Sequence, residues 1–527
     1  MRKKRGLMLQ INELTIIHKT DLRVLFEKFQ LVLNAGDKVA IIGEEGNGKS
    51  TLIRYIFNPM LVDSYVECNG ERVLGKERLG FLPQEMSKED SARTIFEFFS
   101  SEENFWNQTP KELAEYARKF CLDKEIFYSD QKVGTLSGGE KVKVQLIRIL
   151  MQDPTVLMLD EPSNDIDITT LEVIEQLINS WKNIVLFISH DETLIEKTAN
   201  RIIHIEQIQR KTKPRVTVAN MTYKVYVKER LHRFERQEQQ AYNDRRKKKI
   251  RDEKYQKILQ GVEKAQAQVS RKEPGVAKNL KDKMHAVKAM GKRYKREDEN
   301  MTEMPEQEEA IFFKLGQKGN LIPTGKTVIE LELQKLTTVN KEGEQARVLS
   351  ENIFLKVKGN EKICIVGANG IGKTTLIKKI AEILLARSDI QVQYMPQNYE
   401  DLLNLNVTPI DYLDTTGDKE ERTRIRTYLG ALKYTSDEMT HNIGELSGGQ
   451  KAKILLLKMS LSKANVLILD EPTRNFSPLS GPVIRKMIRE FPGAVISISH
   501  DRKYVDEVCD TVYEMTKEGL VLKKRRE

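Results

Sequence analysis

Short unbroken apolar runs recur along the chain, most of them ending at a glycine or an acid. Val39, Ala40, Ile41 and Ile42 form one such run; Val156, Leu157, Met158 and Leu159 form another; positions 184–188 form a third. Two more lie far downstream, at Ile363, Cys364, Ile365 and Val366, and at Val466, Leu467, Ile468 and Leu469. Runs this short, bounded by turn signals, predict strands buried on both faces. The stretch Leu52, Ile53, Arg54, Tyr55 and Ile56 reads as helix, and residues 85–135 read as a small polar helical subdomain with aromatic spots at Phe96, Phe98, Phe99 and Trp106. The pattern changes in the middle of the chain. Between Pro214 and Gly261 there is neither glycine nor proline, and Tyr223, Val227, Leu231 and Phe234 recur at spacings of four, four and three, one face of a helix. Such a helix would span roughly 70 Å at 1.5 Å per residue. A second helical run extends from about Val276 to Met304 and stops at Pro305, with Gly261, Pro274 and Gly275 marking a turn between the two. The expectation is a helical hairpin with its tip near 262–278.

The apolar runs belong to a duplication. Leu136, Ser137, Gly138, Gly139 and Glu140 are followed by the run ending at Asp160, Glu161 and Pro162. The same arrangement returns at Leu446, Ser447, Gly448, Gly449 and Gln450 with Asp470, Glu471 and Pro472, offset by 310 residues in both elements. A spacing kept over two elements marks a repeated domain. The expected organisation is α/β: a first domain over 1–212, a helical linker over 213–322 and a second domain over 323–527. A length of 527 residues suits about three domains. Four dispersed cysteines with no C-x-x-C pair argue against a zinc site or a disulfide framework and suit the cytosol. No window approaches the ~20 apolar residues that cross a bilayer, and the basic start, Met1 to Arg5, is followed by too short an apolar stretch for a signal peptide.

Each repeat carries a full phosphate-loop pattern after a strand. The first reads Gly43, Glu44, Glu45, Gly46, Asn47, Gly48, Lys49, Ser50, Thr51; the second reads Gly367, Ala368, Asn369, Gly370, Ile371, Gly372, Lys373, Thr374, Thr375. The glycines let backbone N–H groups turn inward around phosphates, and the following helix start favours negative charge. Lys49 and Lys373 would reach the β- and γ-phosphates, and Ser50 and Thr374 would ligate Mg²⁺. Gln84 and Gln397 sit at matching places after short strands and read as Mg²⁺- and water-contacting side chains. Ser137, Gly138 and Gly139, and likewise Ser447, Gly448 and Gly449, make a second anion site at a helix start, facing the phosphate held by the other copy. Asp160 and Asp470 would hold Mg²⁺ through water, and Glu161 and Glu471 would polarise the attacking water. His190 and His500, at strand ends, are candidate γ-phosphate sensors. The copies diverge after the glutamate: the acid Asp167 is matched by Ser477, before Pro478, so the two seams cannot be equivalent.

The net charge of +10 changes the reading of the middle. Residues 207–300 hold 28 Lys and Arg against 12 Asp and Glu, a net of +16, which leaves −6 for the rest. Arg245, Arg246, Lys247, Lys248 and Lys249 form one basic run; Lys292 and Arg293 belong to another; Arg271, Lys272 and Lys278 lie near the expected tip. A charged spacer or coiled coil is one explanation. The arm, however, is longer than joining two domains requires and opposite in sign to them. Contact with a nucleic acid backbone follows, with Tyr223, Tyr226, Tyr242 and Tyr255 as candidates to stack on unpaired bases.

The ordered set of phosphate loop, glutamine, Leu-Ser-Gly-Gly element, Asp-Glu strand and histidine resembles the ABC ATPase nucleotide-binding domain. Two such domains joined by a charged helical linker resemble the ABC-F family of translation factors. The resemblance implies an ATPase whose halves close head to tail on two ATP molecules with Mg²⁺. Site one would join Lys49, Ser50, Gln84, Asp160, Glu161 and His190 to Ser447, Gly448 and Gly449; site two would join Lys373, Thr374, Gln397, Asp470, Glu471 and His500 to Ser137, Gly138 and Gly139. It also implies a cytoplasmic monomer whose linker, a P-site tRNA-interaction motif, enters the exit site of the 70S ribosome and contacts tRNA and rRNA. The stretch from Glu471 through Arg474 to Pro478 is similar to the antibiotic-resistance branch, which displaces drugs such as lincosamides, pleuromutilins and group A streptogramins from the peptidyl-transferase centre. Other classes stay open: a housekeeping ABC-F factor, the ATPase subunit of a drug efflux transporter, or a chromosome-type ATPase with a coiled-coil arm. Little room remains between Lys49 and Gln84 for the extra arm many relatives carry. Neither half shows an evident aromatic residue for the adenine, His18 being the nearest.

Overall fold

The computed structural model describes residues 8–164, 166–208, 211–268, 274–299, 301–302, 304, 315, 322–337 and 347–525. It divides into two compact units, Met1–Tyr223 with Glu308–Glu527, and Lys224–Gln307.

The first unit holds both repeats. In the first, strands stand in the order Leu79–Leu82, Val156–Asp160, Ile184–Ile188, Lys38–Ile42, Arg201–Ile208, Lys213–Ala219, all parallel except the last pair. In the second, the order is Val392–Met395, Val466–Asp470, Ala494–Ile498, Lys362–Val366, Thr511–Thr516, Gly519–Arg525, again parallel but for the last pair. The identical order confirms the duplication. Every position of Val156–Asp160, Ile184–Ile188 and Val466–Asp470 is buried, as unbroken apolar strands require. The order also places the carboxyl ends of neighbouring strands side by side, where doubly wound sheets bind ligands. The repeats differ at their antiparallel edges: Val24–Asn34, Met8–His18 and Val66–Leu74 form three strands in the first, Thr327–Thr337 and Val348–Lys358 two in the second.

Short helices between Lys88 and Tyr128 form the helical subdomain. Its centre is aromatic: Phe99 lies 4.9 Å from Phe127 and 6.0 Å from Phe105, ring to ring, and the Arg148 guanidinium lies 4.4 Å over Phe98.

The second unit is a helical hairpin of Tyr223–Gln268, 46 residues, and Pro274–Glu299, 26 residues. The first helix runs through Gly261 to Gln268 rather than stopping at the glycine, since one glycine costs only about 1 kcal/mol in a helix. Side chains zip the hairpin. The Tyr255 and Tyr294 rings meet edge to face at 5.9 Å, and Arg251 covers Tyr294 at 4.5 Å while pairing with Asp298 at 2.5 Å. Gly291 makes this possible, because a Cβ there would meet the Tyr255 hydroxyl at 2.5 Å. The buried stripe near the start of the long helix is also not the expected one. Tyr223, Tyr226 and Arg230 are buried, whereas Leu231 is 54% exposed.

Candidate active site

Each phosphate loop folds as its glycines dictate. Gly43, Gly46 and Gly48 have φ of 145, 75 and 90°, and Gly367, Gly370 and Gly372 have 149, 76 and 105°, a region closed to most side chains. At Gly43 a Cβ would also fall 2.3 Å from the Ile205 carbonyl oxygen. Helices Lys49–Phe57 and Lys373–Leu385 start directly after the loops. Lys49 Nζ donates to the Gly43 and Glu44 carbonyls at 2.8 and 2.9 Å; Lys373 Nζ does the same to Gly367 and Ala368 at 2.8 and 2.9 Å. Gly43→Ala is expected to weaken ATP binding by the first loop at least about tenfold, read by nucleotide titration of the full chain.

The two strand-end aspartates, Asp160 and Asp470, are 0% and 1% exposed. Ser50 Oγ donates to Asp160 Oδ1 at 2.9 Å. Burial pushes both carboxyls up to about 6. The Oδ2 atom of each has no hydrogen-bond partner, nor have Glu471 Oε1 and His500 Nδ1. Buried acceptors left over beside a phosphate loop fit a hydrated divalent cation shared with phosphate oxygens.

Glu161 and Glu471 follow in left-handed backbone, φ 50 and 55°. Non-glycine residues held there are strained, and the strain repeats in both copies at the glutamate the sequence singles out. Their surroundings differ. Glu161 accepts from Gln84 Nε2 at 3.1 Å, faces His190 Nε2 at 3.2 Å and is bonded by Asn164. Burial raises its carboxyl, but the His190 ring, Lys49 and Asn164 together outweigh this and hold it down to about 2. Glu471 accepts the His500 backbone N–H at 3.3 Å, with the ring nitrogen 3.8 Å away. Burial, helped by the charge of Asp470, pushes it up to about 8, and burial with the nearby Lys373 lowers His500 to about 4.

Two cavities are lined from both halves; the first gathers Lys373, Thr374 and Asp470, whereas the second is not bordered by Lys49, Ser50 or Asp160. A cavity of about 500 Å³ is lined by Lys373, Thr374, Thr375, Gln397, Asp470, Glu471 and His500 of the second half and by Gly138, Asn164 and His190 of the first. A more polar cavity of about 590 Å³ is lined by Glu45, Gln84, Glu161 and His190 of the first half and by Gly448 and Asn475 of the second. His190 Nδ1 donates across the seam to the Phe476 carbonyl at 2.6 Å. The helices Gly138–Met151 and Gly448–Leu461 start from capping boxes, Ser137 with Glu140 and Ser447 with Gln450. The Ser137 hydroxyl donates to Glu140 Oε2 at 2.7 Å, which leaves the backbone N–H groups of that helix start as the donors for an anion. Asp167 caps helix Ile168–Ser180 by accepting from the Thr170 N–H at 2.9 Å. Its counterpart Ser477 is followed by Pro478, and the matching helix, Gly481–Arg489, begins without a side-chain cap. The seams are unequal for that reason.

The sequence missed several residues of the site. Leu349 lines the cavity of about 500 Å³, and Arg474 lines both cavities. His18 is tied to Asp21 and Thr20 at 2.9 Å each. A polar residue beyond the glutamate carries no spacing signal that would have flagged Asn164 or Arg474.

On the arm, Arg245, Arg246, Lys247, Lys249, Lys278 and Lys292 are exposed. Lys248 pairs with Asp298 at 2.9 Å and Arg293 with Glu297 at 3.3 Å. Arg271 and Lys272 lie outside the described residues. Tyr223 and Tyr226 are 3% and 2% exposed and cannot stack on bases as expected, because burial takes both faces of their rings. Tyr255 is engaged with Tyr294, which leaves Tyr242, 57% exposed.

Comparison with known proteins agrees with this geometry. The family described as "ABC transporter" matches residues 26–164 and 350–474, one stretch in each half. The chain belongs to the ABC transporter family. It is an ATPase with two such domains in one chain. It is 26% identical to the putative ATP-binding protein YdiF of Bacillus subtilis (strain 168), over 97% of this chain and 80% of that protein. It is 27% identical to the ribosome protection protein VmlR of the same strain, over 94% of this chain and 85% of that one. The fold is shared with the archaeal ribosome recycling factor aABCE1, solved with the ribosomal stalk protein aP1: TM-score 0.54 at 17% identity, covering 95% of this chain and 87% of that one. Among the described residues no helix is long and apolar enough to cross a membrane.

Proposed function

We propose that this ATPase is a cytoplasmic ribosome protection factor of the ABC-F family, which uses the closure of its halves on two ATP molecules to set its basic arm into the exit site of a drug-stalled ribosome. The carrying observation is the hairpin unit, a long two-helix arm with an exposed basic run at Arg245, Arg246, Lys247 and Lys249. A solvated spacer needs no such charge, whereas rRNA and tRNA phosphates do. The likeness to VmlR supports the protection role.

In each site the loop N–H groups and Lys49 or Lys373 bind the ATP phosphates, and the other half's helix start, at 448–449 or 138–139 respectively, closes on the γ-phosphate. Ser50, Gln84 and Asp160, or Thr374, Gln397 and Asp470, would hold Mg²⁺, which supplies charge neutralisation on the phosphate oxygens. Glu161 and Glu471 orient the attacking water and take its proton, and His190 and His500 lie against them. Cleavage removes the phosphate that both halves grip, so the halves separate and the arm leaves.

Cell-free translation stalled by a lincosamide tests the role. Added protein is expected to restore synthesis, and the charge reversal Arg245→Glu, Arg246→Glu, Lys247→Glu to abolish the rescue while ATP turnover without ribosomes stays within about twofold. Restored synthesis with any stalled ribosome, drug or not, would point to a housekeeping factor instead. No effect under either condition would overturn the proposal.

A further inference from the structure

The two phosphate loops differ where they face the opposite half. The first carries two acids, Glu44 and Glu45, where the second carries Ala368 and Asn369. Both acids reach across the seam. Glu45 Oε2 accepts the Gly449 backbone N–H at 2.6 Å, at the start of helix Gly448–Leu461. Glu44 Oε1 pairs with Lys453 Nζ one turn further along the same helix, at 2.7 Å, with side-chain exposures of only 19 and 12%. The fit is close: a Cβ at either Gly448 or Gly449 would come within 3.4 Å of Glu45 Oε2.

A carboxylate bonded to the N–H at a helix start is what the γ-phosphate of ATP would be in a closed composite site, an anion on the same donors. The side chain therefore takes a donor that the nucleotide needs. It also brings its own negative charge to the place where the phosphate charge must sit. At the other site no such acid exists in the loop, and Gly138 lines one cavity together with Lys373 and Thr374, whereas the cavity that Gly448 lines is bordered by Glu45 and not by Lys49 or Ser50.

We propose that Glu45 is a positioning residue that sets the inequality of the two ATP sites: it is an internal anion that holds the 446–450 element closed on the first loop and competes with the γ-phosphate there, so site one binds ATP more weakly than site two. Glu44 strengthens the contact through Lys453. The halves are then latched on one side before nucleotide arrives, and ATP at site one must displace the latch. The proposal rests on the ATPase sites alone and is independent of ribosome binding.

The test is titration of the full chain with a fluorescent ATP analogue and Mg²⁺, one site at a time. Lys373→Ala silences site two. In that background Glu45→Asn, which installs the second loop's residue, is expected to tighten binding at site one about tenfold, and Glu45→Gln, which keeps the shape without the charge, to tighten it as well. In the reciprocal Lys49→Ala background, Asn369→Glu is expected to weaken site two by a similar factor. A structural role for Glu45 would make its removal weaken or leave unchanged the binding at site one, so either of those results overturns the proposal. A chain that binds no nucleotide at site two in the Lys49→Ala background alone would instead contradict the assignment of the sites themselves.

Discussion

With Glu161→Gln and Glu471→Gln together, ATP turnover is expected to fall by about 10²–10⁴-fold, the usual contribution of a positioned general base, while ATP binding persists. The substitution keeps the side chain's size and its place at the end of strands Val156–Asp160 and Val466–Asp470. It removes only the ability to accept the proton of the attacking water. Binding depends on other atoms: the loop N–H groups, Lys49, Lys373 and the opposing helix starts. The single variants should differ. Glu161 is held as a carboxylate by His190, Gln84 and Asn164, whereas burial raises Glu471. Steady-state phosphate release by the single and double variants measures this. A double variant with unimpaired turnover would remove both glutamates from the chemistry.

The second large effect concerns the contact between halves away from the nucleotide. Arg485, 3% exposed in its side chain, pairs with Glu192 of the first half at 3.0 Å and with Glu507 at 2.7 Å. Lys503 joins Glu192 at 2.8 Å and Glu196 at 2.5 Å, and Arg502 pairs with Glu175 and, at 3.5 Å, with Asp191. In these pairs across the seam the acids come from the first half and the bases from the second. The arrangement rewards pairing of unlike halves and penalises pairing of two first halves or two second halves. Arg485→Met is expected to destabilise the chain by about 3 kcal/mol, because it strands a buried carboxylate; Lys503 keeps the loss at the low end. The exchange Arg485→Glu with Glu192→Arg should recover part of it. The lowest thermal transition of each variant measures both effects, and a single variant indistinguishable from the parent would show that the network carries no stability.

Much of this was legible in the sequence because the physics there is local. Unbroken apolar runs such as Val156–Asp160 gave fully buried parallel strands, since a strand covered on both faces has no polar side to show. The glycines of the phosphate loops could be placed because only glycine adopts their backbone. The 310-residue offset exposed the duplication. What escaped depends on the fold bringing distant residues together. Nothing near Glu45 in sequence announces Gly449, and nothing near Glu192 announces Arg485. The hairpin's buried stripe was misplaced for a related reason. In a long, mostly polar helix a few apolar residues do not fix the covered face, and Tyr226 with Arg230 took the place expected of Val227 and Leu231. Glycine at 261 signalled a turn, but a single glycine is too small a penalty to stop a helix of 46 residues.

The central claim is that ATP held between the halves fixes the protein on the ribosome. Co-sedimentation of the Glu161→Gln, Glu471→Gln variant with 70S ribosomes, with and without ATP, tests it most directly. The account predicts strong co-migration with ATP, little without it, and weaker co-migration when Arg245, Arg246 and Lys247 are reversed in charge. A variant that binds ATP but stays in the supernatant under both conditions would contradict it.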